Sequence, residues 1–91
     1  MIYNTRIKYS FLGLDGDGNL CFQLGFECKN GLVFNSEKLR LEEASFIKDL
    51  LNVLELSRWE DLPRKFARIE VLDGSYVSAI GNLIEERWVK L

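Results

Sequence analysis

The sequence predicts an α+β fold: an antiparallel β-sheet of about five strands, in the order β-β-β-α-β-β, with one amphipathic helix packed on one face. Three observations support this prediction. Apolar and polar residues alternate over 2–14 and 20–29, apolar residues recur at three- and four-residue spacing over 42–54, and alternation returns over 66–80. Because 91 residues supply one hydrophobic core, we expect a single domain spanning 1–91.

The first strand is predicted over 2–14. Five side chains at a spacing of two should share its buried face: Tyr3, Thr5, Ile7, Tyr9 and Phe11. Residues 15–19 read Asp-Gly-Asp-Gly-Asn and end this strand, because Gly and Asn tolerate the positive φ of tight turns.

The second strand is predicted over 20–29. It ends at Asn30-Gly31, the dipeptide most typical of a type I′ hairpin turn. The sheet continues at 32–34, and 38–41 could extend it. These segments give the three strands that precede the helix.

The period then changes to that of a helix. Apolar residues at helical spacing predict an amphipathic helix of about three to four turns: Ala44, Phe46, Ile47, Leu50, Leu51 and Leu54. Pro63 ends a short turn after it. A second hairpin follows, with strands over 66–72 and 76–80 joined by an Asp-Gly turn at 73–74. Residues 82–91 could either close the sheet or form a short terminal turn.

Charge and hydropathy argue against several classes of protein. The 12 basic and 14 acidic residues give a net charge of −2, whereas nucleic-acid binders normally carry a basic excess. No apolar run is long enough to span a membrane, and the first residues lack a signal-peptide pattern. Cys21 and Cys28 lie seven apart in one predicted strand, so they should point to opposite faces and stay reduced. We therefore expect a cytoplasmic protein that binds neither membrane nor nucleic acid.

The chain contains no histidine, the commonest general base and metal ligand. Asp15, Asp17 and Asn19 match the opening of a calcium-binding loop, but Leu20 and Phe26 occupy the positions that need glycine and glutamate. A hairpin turn explains the three residues better. The sequence therefore predicts a protein that is not an enzyme and that holds neither a metal nor another cofactor.

Basic and tryptophan side chains are frequent in the C-terminal half. Six of them are candidates for binding a partner: Trp59, Arg64, Lys65, Arg68, Arg87 and Trp88. The alternative is that the charges are solvated among interspersed glutamates and that the tryptophans plug the core. Whether the basic residues form one patch depends on how 82–91 packs.

A distinctive pattern runs through the same half of the chain. It comprises Trp59-Glu60-Asp61-Leu62, then Lys65, Arg68 and Ile69, then Ala-Ile-Gly-Asn-Leu-Ile-Glu-Glu-Arg-Trp over 79–88, with the helix at 46–51 before it. The pattern resembles a family of small phage and prophage proteins. This chain has Pro63-Arg64 where the family often carries a glycine after the leucine, and it lacks the family's glycine-rich stretch before the helix.

The resemblance implies a phage-encoded protein. Small size and a lack of catalytic residues favour an accessory protein that binds and inhibits a bacterial host protein, such as a defence component, in the host cytoplasm (an anti-CRISPR-like inhibitor). The alternative is a small-ligand or nucleotide-binding domain that sequesters its ligand through Arg and Lys side chains. A third hypothesis is a carboxylate-dependent nuclease or hydrolase. Any of these could form a homodimer through a free sheet edge.

Overall fold

The computed structural model describes residues 1–72 and 76–91. In chain order its elements are β1 (Ile2–Leu14), β2 (Leu20–Cys28), β3 (Val33–Asn35), β4 (Leu39–Arg40), α1 (Ala44–Leu54), a 3-10 helix (Trp59–Asp61), β5 (Phe66–Val71), β6 (Val77–Gly81) and β7 (Trp88–Lys90). The turn predicted at 73–74 lies outside the described residues. Within the described ranges, no helix has the length and apolar character needed to cross a membrane.

The strands form one sheet with the order β3-β2-β1-β5-β6-β7. β4 also pairs with β2, near the beginning of that strand, whereas β3 pairs near its end. Neighbouring strands are antiparallel. An isolated parallel bridge joins Asn35 to Tyr76. The α+β class and the antiparallel sheet are confirmed, but the predicted count of about five strands is too low. Both β4 and β7 join the sheet, in the segments 38–41 and 82–91 that the sequence left open, because strands of two or three residues carry little alternation.

The hairpin loop between β2 and β3 differs from the predicted type I′ turn. The Cys28 N–H donates to the Leu32 C=O (2.8 Å), and the Gly31 N–H donates to the Cys28 C=O (2.9 Å). Of the central pair, Gly31 has a positive φ (89°) and Asn30 does not, whereas a type I′ turn requires two positive φ values. The loop therefore has three residues and ends on a left-handed glycine. The loop at 15–19 repeats the same hydrogen bonds.

A β-bulge interrupts β1. Ile7 lies opposite Phe26 on β2, but Tyr9 lies opposite Gly25, so β1 has one extra residue between the two pairs. Because cross-strand partners share a face, the bulge moves Tyr9 and Phe11 to the face opposite that of Ile7. The prediction that Tyr9 and Phe11 share the buried face with the residues before the bulge is therefore wrong.

The helix α1 packs on the face of the sheet that carries the core. Leu50 and Leu54 are fully buried, and the Phe46 ring stacks on Phe22 with their centroids 4.8 Å apart. Each fully buried leucine stabilises the fold by roughly 1.5–3 kcal/mol. The core consists of Ile7, Leu24, Phe26, Leu50, Val53, Leu54, Leu62, Ala67, Ile69, Val71, Val77 and Ile80. The predicted amphipathic helix is confirmed. Leu50 and Leu54 of its predicted apolar face are buried, but Ala44 is exposed and Val53, which was not predicted, is buried.

Candidate functional site

The six side chains predicted to bind a partner lie at three places in the fold. Three of them meet around the loop that joins β6 to β7: Arg68, Arg87 and Trp88. Arg64 and Lys65 lie in the turn before β5. Trp59 begins the 3-10 helix and packs, partly buried, against the core.

The Arg68 side chain is held on several sides. Its Nε donates to the Asn82 C=O and its Nη2 to the Glu85 C=O, both at 2.7 Å, and its Nη1 lies 3.5 Å from the Glu86 carboxylate. The guanidinium also stacks over the Trp88 ring, 4.9 Å from the centroid. Because the side chain is only 17% exposed, its donors serve the loop rather than solvent. We call Arg68, Asn82, Glu86 and Trp88 the clamp.

Asn82 joins the same loop to the end of α1. Its buried Nδ2 donates to the Val53 C=O (2.8 Å) and to the Glu55 carboxylate (3.1 Å). Its Oδ1 accepts hydrogen bonds from the Ile84 N–H (3.0 Å) and the Glu85 N–H (2.9 Å). A buried amide with these bonds made is well tolerated, whereas its loss would leave buried partners unpaired.

Trp88 lies over Gly81, its cross-strand partner on β6. A Cβ built on Gly81 would stand 2.7 Å from the Trp88 ring carbons, so only glycine fits beneath the ring. The Trp88 Nε1 donates to the Glu86 carboxylate. This hydrogen bond, followed by the charge of Arg68, holds the pKa of Glu86 below its ordinary value.

Arg87 ties the loop to the helix as well. Its Nη2 donates to the Asn52 C=O in the last turn of α1, and its Nη1 lies 3.2 Å from the Glu85 carboxylate. Polar groups of Arg68, Arg87 and Trp88 are thus engaged within the chain. Their role in binding a partner stays a prediction, and the contacts show that they hold the loop in place.

A different surface surrounds Phe66, the first residue of β5. Phe66 points away from the core because its neighbour Ala67 is fully buried, and 58% of Phe66 is exposed. Beside it lies a depression of about 690 Å³ whose walls include Arg6, Lys29 and Leu83. The apolar ring of Phe66 therefore lies open to a neighbouring molecule.

A second depression, of about 270 Å³, shares Phe66 and Leu83 with the first. Its walls also include Arg64, Lys65 and Ile84, and the Ile84 side chain is 89% exposed. We call the two depressions together the Phe66 groove. Three exposed apolar residues therefore lie along one groove, an arrangement that marks interaction sites more often than scattered exposed residues do.

The charges around the Phe66 groove are mostly positive. Four basic residues line it: Arg6, Lys29, Arg64 and Lys65. Of its two acidic residues, Glu27 lies 3.6 Å from the Arg6 guanidinium, and Glu55 accepts a hydrogen bond from Asn82. The groove therefore has a local basic excess, although the whole chain has a net charge of −2.

Arg64 occupies a backbone position that favours glycine. Pro63 and Arg64 are the central residues of a turn in which the Lys65 N–H donates to the Leu62 C=O (3.0 Å). Arg64 has a φ of 77°, as the third residue of a type II turn requires. A left-handed backbone costs an arginine roughly 1–2 kcal/mol. A strained backbone of this kind is a reason to ask whether the side chain has a role, and the Arg64 side chain lines the second depression.

A depression of about 540 Å³ between α1 and β7 has a different character. Its walls carry the carboxylates of Glu43 and Asp49 together with Lys90. Within the described ranges, none of the large exposed apolar side chains lines it. Its apolar lining residues, Phe46, Val53, Trp88 and Val89, are buried or partly buried, whereas Phe66, Leu83 and Ile84 in the Phe66 groove are exposed.

Residues with potential catalytic or redox chemistry are dispersed. The Asp15 carboxylate accepts hydrogen bonds from the Asp17 and Asn19 N–H groups, both at 2.9 Å, and these bonds lower its pKa while closing the hairpin loop. Cys21 is buried and Cys28 is partly buried, and neither forms a disulfide. Desolvation raises the pKa of the Cys28 thiol. Across residues 1–72 and 76–91, no three Cys, Asp or Glu side chains converge as metal ligands.

Comparisons with protein-family models, curated proteins and solved structures give no significant match. The resemblance to small phage proteins therefore rests on the sequence pattern alone and stays a prediction. The function has to be argued from the surface of this chain.

Sequence reasoning missed the apolar part of the groove: Phe66, Leu83 and Ile84. For Phe66 the signal was present, because Ala67 and Ile69 alternate with it and predict an outward side chain. Leu83 and Ile84 gave no signal, since their exposure follows from the clamp, whose contacts link residues far apart in sequence.

Proposed function

We propose that this protein is a non-enzymatic binding domain that docks an acidic segment of a partner protein in the Phe66 groove. The observation that carries the proposal is the juxtaposition of exposed Phe66 and Ile84 with the basic side chains of Arg64 and Lys65. Apolar anchors of this kind supply most of the affinity of an interface. A basic rim steers an acidic partner and sets its orientation.

The resemblance to phage proteins supports a more specific form of this proposal. The partner is a bacterial host protein, and the chain is a phage-encoded inhibitor of a defence component in the host cytoplasm. Binding alone can inhibit such a partner by covering its active site or a binding site. Inhibition therefore requires no catalytic group in this chain.

Affinity capture from a bacterial lysate would identify the partner, and binding would then be measured with the purified pair. Replacing Phe66→Ser and Ile84→Ser together removes both exposed anchors. We expect the affinity to fall at least about tenfold. The matched control is Leu72→Ser, which removes an equally exposed apolar side chain outside the groove and should leave the affinity unchanged.

Arg64→Gly tests the charged part of the groove against the backbone strain. Glycine relieves the positive φ, so the midpoint of thermal unfolding should rise. The partner affinity should fall, and binding should become less sensitive to salt, because one charge of the rim is lost. If the variant were more stable and bound the partner as tightly as the original protein, Arg64 would not be part of the binding site.

The nucleotide-binding alternative gives a different result in the same experiments. Nucleotides would raise the unfolding midpoint of the unmodified protein, and Arg64→Gly would reduce that shift. The protein-docking proposal would be overturned if nucleotides gave this shift and if the Phe66→Ser and Ile84→Ser replacements left the affinity for the purified partner unchanged.

A further inference from the structure

Among residues 1–72 and 76–91, no strand lies on one side of the outer part of β1. Over 2–6, β1 pairs with β5, and Ile7 exchanges backbone hydrogen bonds with Arg64 and Lys65. Over 9–14, its one partner within the described ranges is β2. We call the unpartnered side of residues 9–14 the open edge.

Backbone hydrogen-bonding groups point out of the open edge. The Leu24 C=O on β2 accepts from the Ser36 N–H (2.9 Å), so Leu24 directs its backbone groups away from β1. Ser10 lies opposite Leu24, and such a pair in an antiparallel ladder directs its groups to the two outer sides. Because backbone direction alternates along a strand, the N–H and C=O groups of Leu12 and Leu14 also point out of the open edge, like those of Ser10. The open edge therefore offers three N–H donors and three C=O acceptors.

The side chains along the open edge leave it unprotected. Residues 9–14 read Tyr-Ser-Phe-Leu-Gly-Leu, with no charge and no proline. Leu12 is 40% exposed and Leu14 is 66% exposed. Natural sheets protect a free edge with lysine, proline or an inward charge, and an unprotected apolar edge is a template for another strand. Lys8 and Asp15, of opposite charge, flank the segment.

We infer that the open edge pairs with the open edge of a second copy of this chain, antiparallel, about a twofold axis perpendicular to the sheet. The uncharged segment places no like charges opposite each other. The Lys8 end of one segment comes to the Asp15 end of the other, so the flanking charges are complementary. This inference does not rest on the Phe66 groove, which lies at a different part of the chain.

The twofold axis limits the possible registers, because it pairs residues that share a face. In the register centred on Phe11, the two Phe11 residues lie opposite each other, and Ser10 of one copy lies opposite Leu12 of the other. The Tyr9 ring remains over Gly25 and the Phe11 ring over Gly13 of the same chain. Phe11 directs its backbone groups to β2, so its pair is the close, non-hydrogen-bonded kind.

One strand pair with flanking leucines lies at the low end of interface size, so we expect a dissociation constant on the order of 10 μM. Sedimentation velocity from low micromolar to several hundred micromolar protein should show a monomer–dimer equilibrium. Leu12→Lys places an ammonium group on the edge and should weaken the dimer at least about tenfold.

Leu20→Lys is the matched control. Leu20 is as exposed as Leu12, but it lies on β2, where its C=O is bonded to the Leu41 N–H. It should leave the dimer intact, and circular dichroism should show that both variants fold. A protein that is monomeric throughout the range, or a dimer weakened equally by both lysines, would overturn the inference.

A disulfide test fixes the register. In a chain carrying Cys28→Ser, we expect Phe11→Cys to form a covalent dimer on mild oxidation, because Cα atoms of a non-hydrogen-bonded pair are about 4.5 Å apart. Gln23→Cys lies opposite Phe11 on β2, away from the edge, and should stay monomeric. Equal cross-linking of the two variants would count against the open edge as the interface.

Discussion

An aromatic ring covers a cross-strand glycine at two places in the described part of the sheet, and the two places differ in what holds the ring. Trp88 lies over Gly81 between β7 and β6, and Tyr9 lies over Gly25 between β1 and β2. In both, a Cβ on the glycine would stand closer than 3 Å to the ring, at 2.7 Å for Gly81 and 2.1 Å for Gly25. The clash alone would therefore rank Gly25 as the more sensitive position.

The surroundings reverse that ranking. The Trp88 ring is fixed by the Glu86 carboxylate at its Nε1 and by the Arg68 guanidinium on its face. Tyr9 has one tether, a 3.2 Å hydrogen bond from its hydroxyl to the exposed Asn35 side chain. The Tyr9 ring can turn outward into solvent, whereas Trp88 cannot move without breaking the clamp. What decides the cost of a clash is the freedom of the neighbour to move.

The same difference separates two regions of the molecule. The β6–β7 end is tied to α1 through Asn82 and Arg87. In the outer part of the β1–β2 hairpin, β2 pairs with β4, but β1 has no second partner strand within the described ranges. The exposed side chains of this part face solvent. The β6–β7 end is therefore tied to α1 by hydrogen bonds, whereas the outer hairpin contacts α1 through the stacked rings of Phe22 and Phe46 and keeps the open edge of β1 for another strand.

Gly81→Ala should produce the largest loss of stability among these changes. The added methyl group has no space unless Trp88 leaves the clamp, and overpacking of this kind costs about 2–3 kcal/mol. Urea or thermal unfolding would measure the free energy of unfolding. Gly16→Ala is the control, because a Cβ there meets no atom within 4 Å, and it should change stability by less than about 1 kcal/mol. If Gly81→Ala lowered the free energy of unfolding no more than Gly16→Ala does, the Trp88 ring must be able to move aside at little cost.

Gly25→Ala should cost less, about 1 kcal/mol, because the Tyr9 ring turns away and gives up its bond to Asn35. Tyrosine fluorescence or the Tyr9 ring signals in NMR should report the rotation, while the Trp88 signals stay unchanged. If Gly25→Ala destabilises the fold more than Gly81→Ala, the distance of the clash governs the cost, and the proposed contrast between the two regions is wrong.

Local sequence patterns predicted the elements well. Alternation identified β1, β2, β5 and β6, and the three- and four-residue spacing identified α1, because each pattern reports one buried face over many residues. The bulge between Ile7 and Tyr9 could not be predicted this way. It depends on which residues of β2 lie opposite, so the alternation of β1 continued across it in the sequence while the faces changed in the structure.

The candidate site was harder to predict for a related reason. Arg68 looked like a binding residue because its type and neighbours suited a charged patch, yet its donors are bonded to carbonyl groups fourteen and more positions away. Asn82 has a buried amide that bonds to Val53 across twenty-nine positions. Contacts at such separations leave no periodic trace in the chain.

Part of the pattern that resembles phage proteins falls on the clamp and on Gly81 beneath the Trp88 ring. Its Gly-Asn pair at 81–82, its arginine at 68 and its terminal tryptophan at 88 make the contacts that fix the β6–β7 loop. In this chain those residues hold the loop in place. Lys65, Leu83 and Ile84 of the same pattern line the Phe66 groove.

Glu86→Gln should have the smallest effect on the clamp, and its dependence on pH identifies the cause. The Trp88 hydrogen bond and the Arg68 charge lower the pKa of Glu86 in the folded protein. The charged carboxylate therefore stabilises the fold fully at a pH above 4.5, the ordinary pKa of the group. That contribution is lost as the pH falls through the folded pKa. Glutamine keeps the acceptor for Trp88 and removes the charge. Thermal unfolding should therefore show the variant slightly less stable at neutral pH, and the difference should shrink as the pH falls below 4.5 and through the folded pKa of Glu86. A difference that persists unchanged in acid would mean that the shape of the side chain, rather than its charge, holds the clamp.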